Sequence, residues 1–188
     1  MKEKTISIDH LWDTAPPAKK AFDPQDYKHL PEPARRYVEH SIAPGTPLAA
    51  AVRLEMHGEI NLNRWLPFQA KQIIRWDRGM IWKAKVKMAG LPVKGFDRVI
   101  DGEGQMNWKL LGLLPVLSEA GPDISRSSIG RMGTEAVWLP SVFCRPDTDW
   151  HTPENSLIKA AYPLMGETIA PELKIGPQGQ LETVKIKR

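Results

Sequence analysis

At 188 residues, with 41% hydrophobic and 26% charged residues, the chain fits one core of ordinary globular density and is too apolar for wholesale disorder. A formal net charge of +4 is too small by itself to argue for nucleic acid, and the single cysteine, Cys144, excludes an internal disulfide and a thiolate metal cluster. Charges interrupt the N-terminal residues and no run of ~18 apolar residues occurs, so neither export nor a membrane span is expected and the expected location is cytoplasmic.

Residues 1–29 carry Pro16, Pro17 and Pro24 among alternating charges and no sustained period, which predicts an arm on the surface, pinned by Trp12. From Leu30 begins the single β-rich domain expected over 30–188. Its opening prolines and glutamate, followed by Ala34, Tyr37, Val38 and Ile42 on one stripe, predict a helix over 32–42 that Pro44 and Gly45 end. Val52, Leu54, Met56 and Ile60 then alternate with polar residues, the repeat of a strand with one wet face. Phe68 to Trp76 and Met80 to Met88 continue it, joined by a hairpin turn at Asp77, Arg78 and Gly79. Further strands are predicted over 93–100 and 105–111, with a turn over 101–104 between them. Sequential hairpins of this kind make an antiparallel meander.

A break is read at Gly112 to Pro122. A helix over 123–138 follows, with Asp123 or Ser125 as N-cap and Ile129, Met132 and Ala136 on its apolar side, until Pro140 stops it. Strands are predicted over 156–162, 167–175 and 181–187, the last running to Arg188 with no closing turn. The fold class is therefore mainly β with some α: one curved antiparallel meander sheet or half-barrel of eight strands, an N-terminal helix, and the 123–138 helix as cover for the concave side.

Motifs of familiar catalysts are missing: there is no nucleophile elbow, no paired-histidine zinc helix and no phosphate loop. The five histidines have no ligand spacing, and neither a metal nor another cofactor is expected. The seven tryptophans are read chiefly as core. Asp97 shares parity with apolar neighbours on its strand, so its carboxylate requires a partner. Arg131 on the cover helix is the candidate, with Glu135 one turn later completing the network. That network is read as a clamp between helix and sheet, or as the polar anchor of a bound molecule. Lys83, Lys85, Lys87, Lys94, Arg98 and Lys109 fall on the opposite face as a basic stripe, read as a solvated surface with no nucleic-acid partner. Cys144 is read as a buried structural thiol.

Several segments together carry a resemblance: Leu30-Pro31-Glu32-Pro33, Trp65-Leu66-Pro67-Phe68, Gly90-Leu91-Pro92-Val93, Asp101-Gly102-Glu103-Gly104, and Arg131 through Glu135 to Trp138-Leu139-Pro140. Over roughly residues 28–188 the chain resembles an uncharacterised bacterial family of unknown function. The resemblance implies no activity, but relatives continue past the position of Arg188, which agrees with a chain shortened at its C-terminus. The architecture also resembles the half-barrel of lipoprotein carriers. Function is thus unknown from sequence, and a binding protein is preferred to an enzyme. An apolar small molecule or lipid is expected to lie between sheet and helix, against Trp76, Trp82, Met88, Asp97, Trp108, Arg131, Met132 and Glu135. The alternatives are an enzyme centred on Asp97, Arg131 and Glu135, and a structural or interaction protein with a filled core. A homodimer through the edge of the terminal strand is the expected assembly.

Overall fold

The structure is a computed structural model that describes residues 6–186. Lys187 and Arg188, which the sequence reading assigns to the terminal strand, lie outside the described residues. The fold is mainly β, with two antiparallel sheets and few helices. Contacts divide the chain into two compact units, each assembled from separated segments. One comprises the chain through Ala15 together with Ala51–Ile129, and the other Pro16–Ala50 together with the chain from Gly130 onward. Among the described residues no helix is long and apolar enough to cross a membrane.

The first unit is a meander of six strands in sequence order: β1 (Ala51–Asn61), β2 (Trp65–Arg75), β3 (Gly79–Met88), β4 (Leu91–Ile100), β5 (Glu103–Leu110) and β6 (Leu114–Ala120). Each strand pairs with the next, so β1 and β6 are edges and the sheet does not close into a barrel. Two tight turns explain the order. Ala89 and Gly90, and likewise Asp101 and Gly102, have positive φ at both positions, the geometry whose twist matches that of two antiparallel strands.

The break expected at 112–122 is in fact a strand. Its Leu-Pro-Val-Leu-Ser-Glu-Ala text carries a proline and no clean alternation, and it pairs on one side only, where a missing N–H is tolerated. Strand β2 stops at Arg75, so Trp76 opens the β2–β3 turn and does not extend the strand as predicted.

The N-terminal segment departs from the predicted arm. Ser7 caps a short helix, α1 (Ile8–Asp13), by accepting a hydrogen bond from the His10 amide at 3.0 Å. Leu11 is fully buried against Ile73 and Ile81, with Ile6 and Ile8 beside it. Trp12 remains largely exposed, with the Arg53 guanidinium 5.0 Å from its ring centre. Leu11, and not Trp12, is the pin. The buried Arg75 closes the arrangement: its Nη1 donates to Thr14 Oγ1 at 2.8 Å, while Nε and Nη2 donate to the Asp77 carboxylate at 2.8 and 3.0 Å.

The second unit contains α2 (Glu32–Ser41) and a sheet ordered β11-β10-β8-β7, with β9 also paired to β8. Its strands are β7 (Asp149–Glu154), β8 (Leu157–Leu164), β9 (Glu167–Ile169), β10 (Glu172–Ile175) and β11 (Leu181–Lys185). Strand β7 was not expected, and the predicted 167–175 strand is two pieces because Pro171 interrupts it. The single eight-stranded sheet of the sequence reading is therefore two sheets. The core of this unit is aromatic: the Phe143 ring meets Tyr37 at 5.7 Å and Tyr162 at 5.9 Å, both edge-on, with Trp150 at 6.1 Å.

The predicted 123–138 helix is α3 (Pro122–Glu135), continued by a 3-10 turn over Ala136–Trp138 and, after Leu139, by a second one over Pro140–Cys144. Ser125 is not its cap. It lies inside the first turns, where its Oγ accepts the Gly104 amide at 2.8 Å. Gly104 is required there, since a Cβ would come within 2.6 Å of the Ser125 Cα. The tryptophans also divide differently from the core reading, because Trp12, Trp65 and Trp138 are all exposed.

Candidate binding site

The alternation of β1–β5 sends one set of side chains to each face of the six-stranded sheet. The register then places Met56, Ala70, Ala84, Gly95 and Trp108 in a single row across five strands. Three consecutive small residues leave room over the middle of that row. The neighbouring row sets Trp82 directly opposite Asp97, and the row on the other side contributes Phe68.

Large side chains lean into the space above the small ones. Trp82 and Trp108 have ring centres 5.6 Å apart, and Phe68 and Trp82 6.3 Å, all tilted. Trp82 Nε1 donates to Met56 Sδ at 3.4 Å, a contact within reach of a polarizable thioether. Trp108 lies close over Gly95: a Cβ there would be 2.5 Å from the indole Cδ2 and would clash with the Asn107 carbonyl. This approach brings Trp108 Nε1 to Asp97 Oδ1 at 2.8 Å, a charge-assisted bond that orients both groups. Trp82, Ala70 and Ala84 are buried, whereas Met56, Phe68, Asp97 and Trp108 are only partly so. The result is an apolar, aromatic surface with one carboxylate at its edge.

Of the eight residues proposed from sequence, Trp82, Met88, Asp97 and Trp108 share this face. Met88 stands at the end of β3, away from the aromatic group. Trp76, half-buried in the β2–β3 turn, is off the strand. Arg131 and Glu135 pair with each other on α3, Nε to Oε1 at 2.8 Å, and Met132 between them is buried. Phe68, Met56 and the Ala70, Ala84, Gly95 row were missed as site residues. The signal was available: once the β2–β3 turn is set, Ala70 falls opposite Ala84, and parity ties both to Trp82.

The other face carries the basic stripe. Lys85, Lys94 and Lys109 are directly opposite one another on β3, β4 and β5, and Lys83 and Lys87 flank Lys85 on the same side. An open trough of about 610 Å³ runs over this face between Glu55, Lys71, Lys83, Lys85 and Lys94. Lys71 bonds Glu55 at 2.8 Å, and that hydrogen bond with its charge holds the Glu55 carboxyl below its usual range. No cluster of three or more His, Cys, Asp or Glu side chains suited to a metal ion occurs among the described residues.

The model of a family described as Family of unknown function (DUF6544) matches residues 20–188. No curated protein and no solved structure matches.

Proposed function

We propose, from the premise that the chain belongs to DUF6544, a family of unknown function, that it is a binding protein which holds an apolar small molecule or acyl chain against the Phe68, Trp82 and Trp108 face. The observation that supports this reading is the combination of a small-residue row with partly exposed aromatic and methionine side chains around it. Rings and thioethers make an adaptable apolar lining, and one fixed polar group supplies orientation. Asp97, held by Trp108, is that group, suited to a hydroxyl or amine at the end of the ligand.

Native mass spectrometry of the freshly purified chain, followed by denaturation, tests the reading. A stoichiometric apolar molecule released on unfolding is the expected result. A fluorescent fatty acid then serves as probe, and Trp108→Ala is expected to weaken its binding about tenfold, the loss of roughly 1.4 kcal/mol of ring contact. A clean mass together with no probe binding by the wild-type chain would overturn the proposal. Asp97→Ala separates it from an enzymatic role, since a binder loses affinity or stability there while an enzyme keeps both and loses turnover.

A further inference from the structure

In a six-stranded meander alternate turns fall at the same end of the sheet, because each strand reverses direction. The β1–β2, β3–β4 and β5–β6 turns therefore share one end. Six of the ten exposed large hydrophobic residues lie in these turns or within two residues of them, including Trp65 at 65% exposure, Leu113 at 79% and Leu114 at 60%. No aspartate or glutamate occurs in 61–65, 87–92 or 109–116. At the other end the turns hold Asp77 and Asp101, bonded to Arg75 and Arg78. The sheet is polarised along its strands.

Behind the apolar tips stands the basic row. Lys85 and Lys94 sit three residues from the turn-side ends of their strands and Lys109 one, roughly 3–10 Å back at the rise of a strand. None of these three, nor Lys83 or Lys87, has an ion-pair partner among the described residues. Like charges directly opposite on adjacent strands destabilise a sheet, so folding alone does not explain the row. Leu111 points the same way. It holds a left-handed backbone at φ 55, where Asn, Asp or Gly is the ordinary choice, and it exposes half of its surface.

We infer that this end of the sheet docks on an anionic lipid bilayer, with the three turn tips in the interfacial layer and the lysine row against the headgroup phosphates. Leucine and tryptophan at the tips with cations one layer behind match the order of acyl boundary, headgroup and water. Nucleic acid fits less well, because leucine neither stacks on bases nor pairs with phosphate. A second copy of the chain would set lysine row against lysine row.

The experiment is flotation of the full chain with phosphatidylcholine vesicles, and with vesicles of phosphatidylcholine mixed with phosphatidylglycerol. The wild-type chain is expected to float with the anionic vesicles only, and to be released by salt. Leu113→Ser with Leu114→Ser is expected to lower the bound fraction at least tenfold. Lys94→Glu with Lys109→Glu is expected to abolish binding, since each neutralised lysine alone is worth about fivefold. Trp138→Ser, which removes an equally exposed apolar residue in the other unit, leaves binding unchanged. Leu111→Asn is diagnostic, because it raises thermal stability while weakening vesicle binding. A wild-type chain that stays unbound at low salt, floats equally with neutral vesicles, or binds undiminished in the tip variants overturns the inference. Lys94 and Lys109 project from the face opposite Trp82 and Trp108, so the outcome for that pair is independent of the proposed ligand site.

Discussion

Gly95 shows how one absent methyl group organises the candidate site. A Cβ added there would meet two groups, the Trp108 indole and the Asn107 carbonyl, and only the first belongs to a side chain that can turn away. Gly95→Ala is therefore expected to destabilise the chain by about 2–3 kcal/mol in urea unfolding, with the bond from Trp108 to Asp97 broken. A change within about 0.5 kcal/mol, the usual size of a surface substitution, would show that Trp108 does not lie over the glycine. This part of the site was half legible. Parity alone put Asp97 among apolar neighbours and Trp82 and Trp108 on its face. The bond between Trp108 and Asp97 depends on how closely an indole approaches a glycine one strand away, and no alternation encodes that distance. Trp76 failed for a related reason, since the turn begins one residue earlier than its Asp-Arg-Gly text implies and Gly79 is already paired in β3.

At the scale of elements, the strands β1 to β5 were readable because over much of their length one face is covered and the other wet, so the period of two survives into the sequence even though β2 and β3 bury both faces near their shared turn. Helix α1 was not. Six residues give less than two turns, too few for a 3.6-residue period to stand out, and its one fully buried side chain is a single leucine. That leucine makes the strongest element-level prediction. Leu11→Ala is expected to cost about 3 kcal/mol, the price of emptying a closed apolar contact with Ile73 and Ile81. Hydrogen exchange should rise along α1 and in the facing parts of β2 and β3. A loss below about 0.5 kcal/mol would return the segment to the status of a surface arm. Strand β6 escaped prediction because an edge strand tolerates a proline and exposed apolar residues, and those are the features by which loops are ordinarily recognised.

Across the whole molecule, the assignment of strands to two sheets was beyond reach of the text, because a strand of β8 and a strand of β3 look alike until their long-range partners are known. The units nevertheless carry separate chemical reporters. All three tyrosines and the sole cysteine belong to the second unit. Burial raises the phenols of Tyr27, Tyr37 and Tyr162 above their ordinary value, and burial likewise pushes the Cys144 thiol up to about 11. These groups favour the folded state in their protonated forms. Their contribution is complete below the unfolded values, about 8.5 for thiol and 10 for phenol, and is lost as pH rises through the folded ones. Tyrosinate absorbance is therefore expected to stay absent above about pH 10 until the unit opens cooperatively, and a thiol reagent at about pH 8 should label Cys144 only in denaturant. Smooth titration near pH 10 with the fold intact, or rapid native labelling, would contradict this burial.

The interleaving of the two units also sets a timetable for synthesis. The Tyr27 hydroxyl donates to the Cys144 carbonyl 117 residues later, and Tyr37 packs on Phe143. At ribosomal rates of about 5–20 residues per second, those aromatic side chains wait on the order of 10 s for their partners to be made. Throughout that interval the six-stranded meander is emerging from the ribosome, while the unfinished second unit presents Phe22, Tyr27 and Tyr37 to solvent or to a chaperone. The last-made strands, not the first, decide when the nascent chain becomes safe from aggregation.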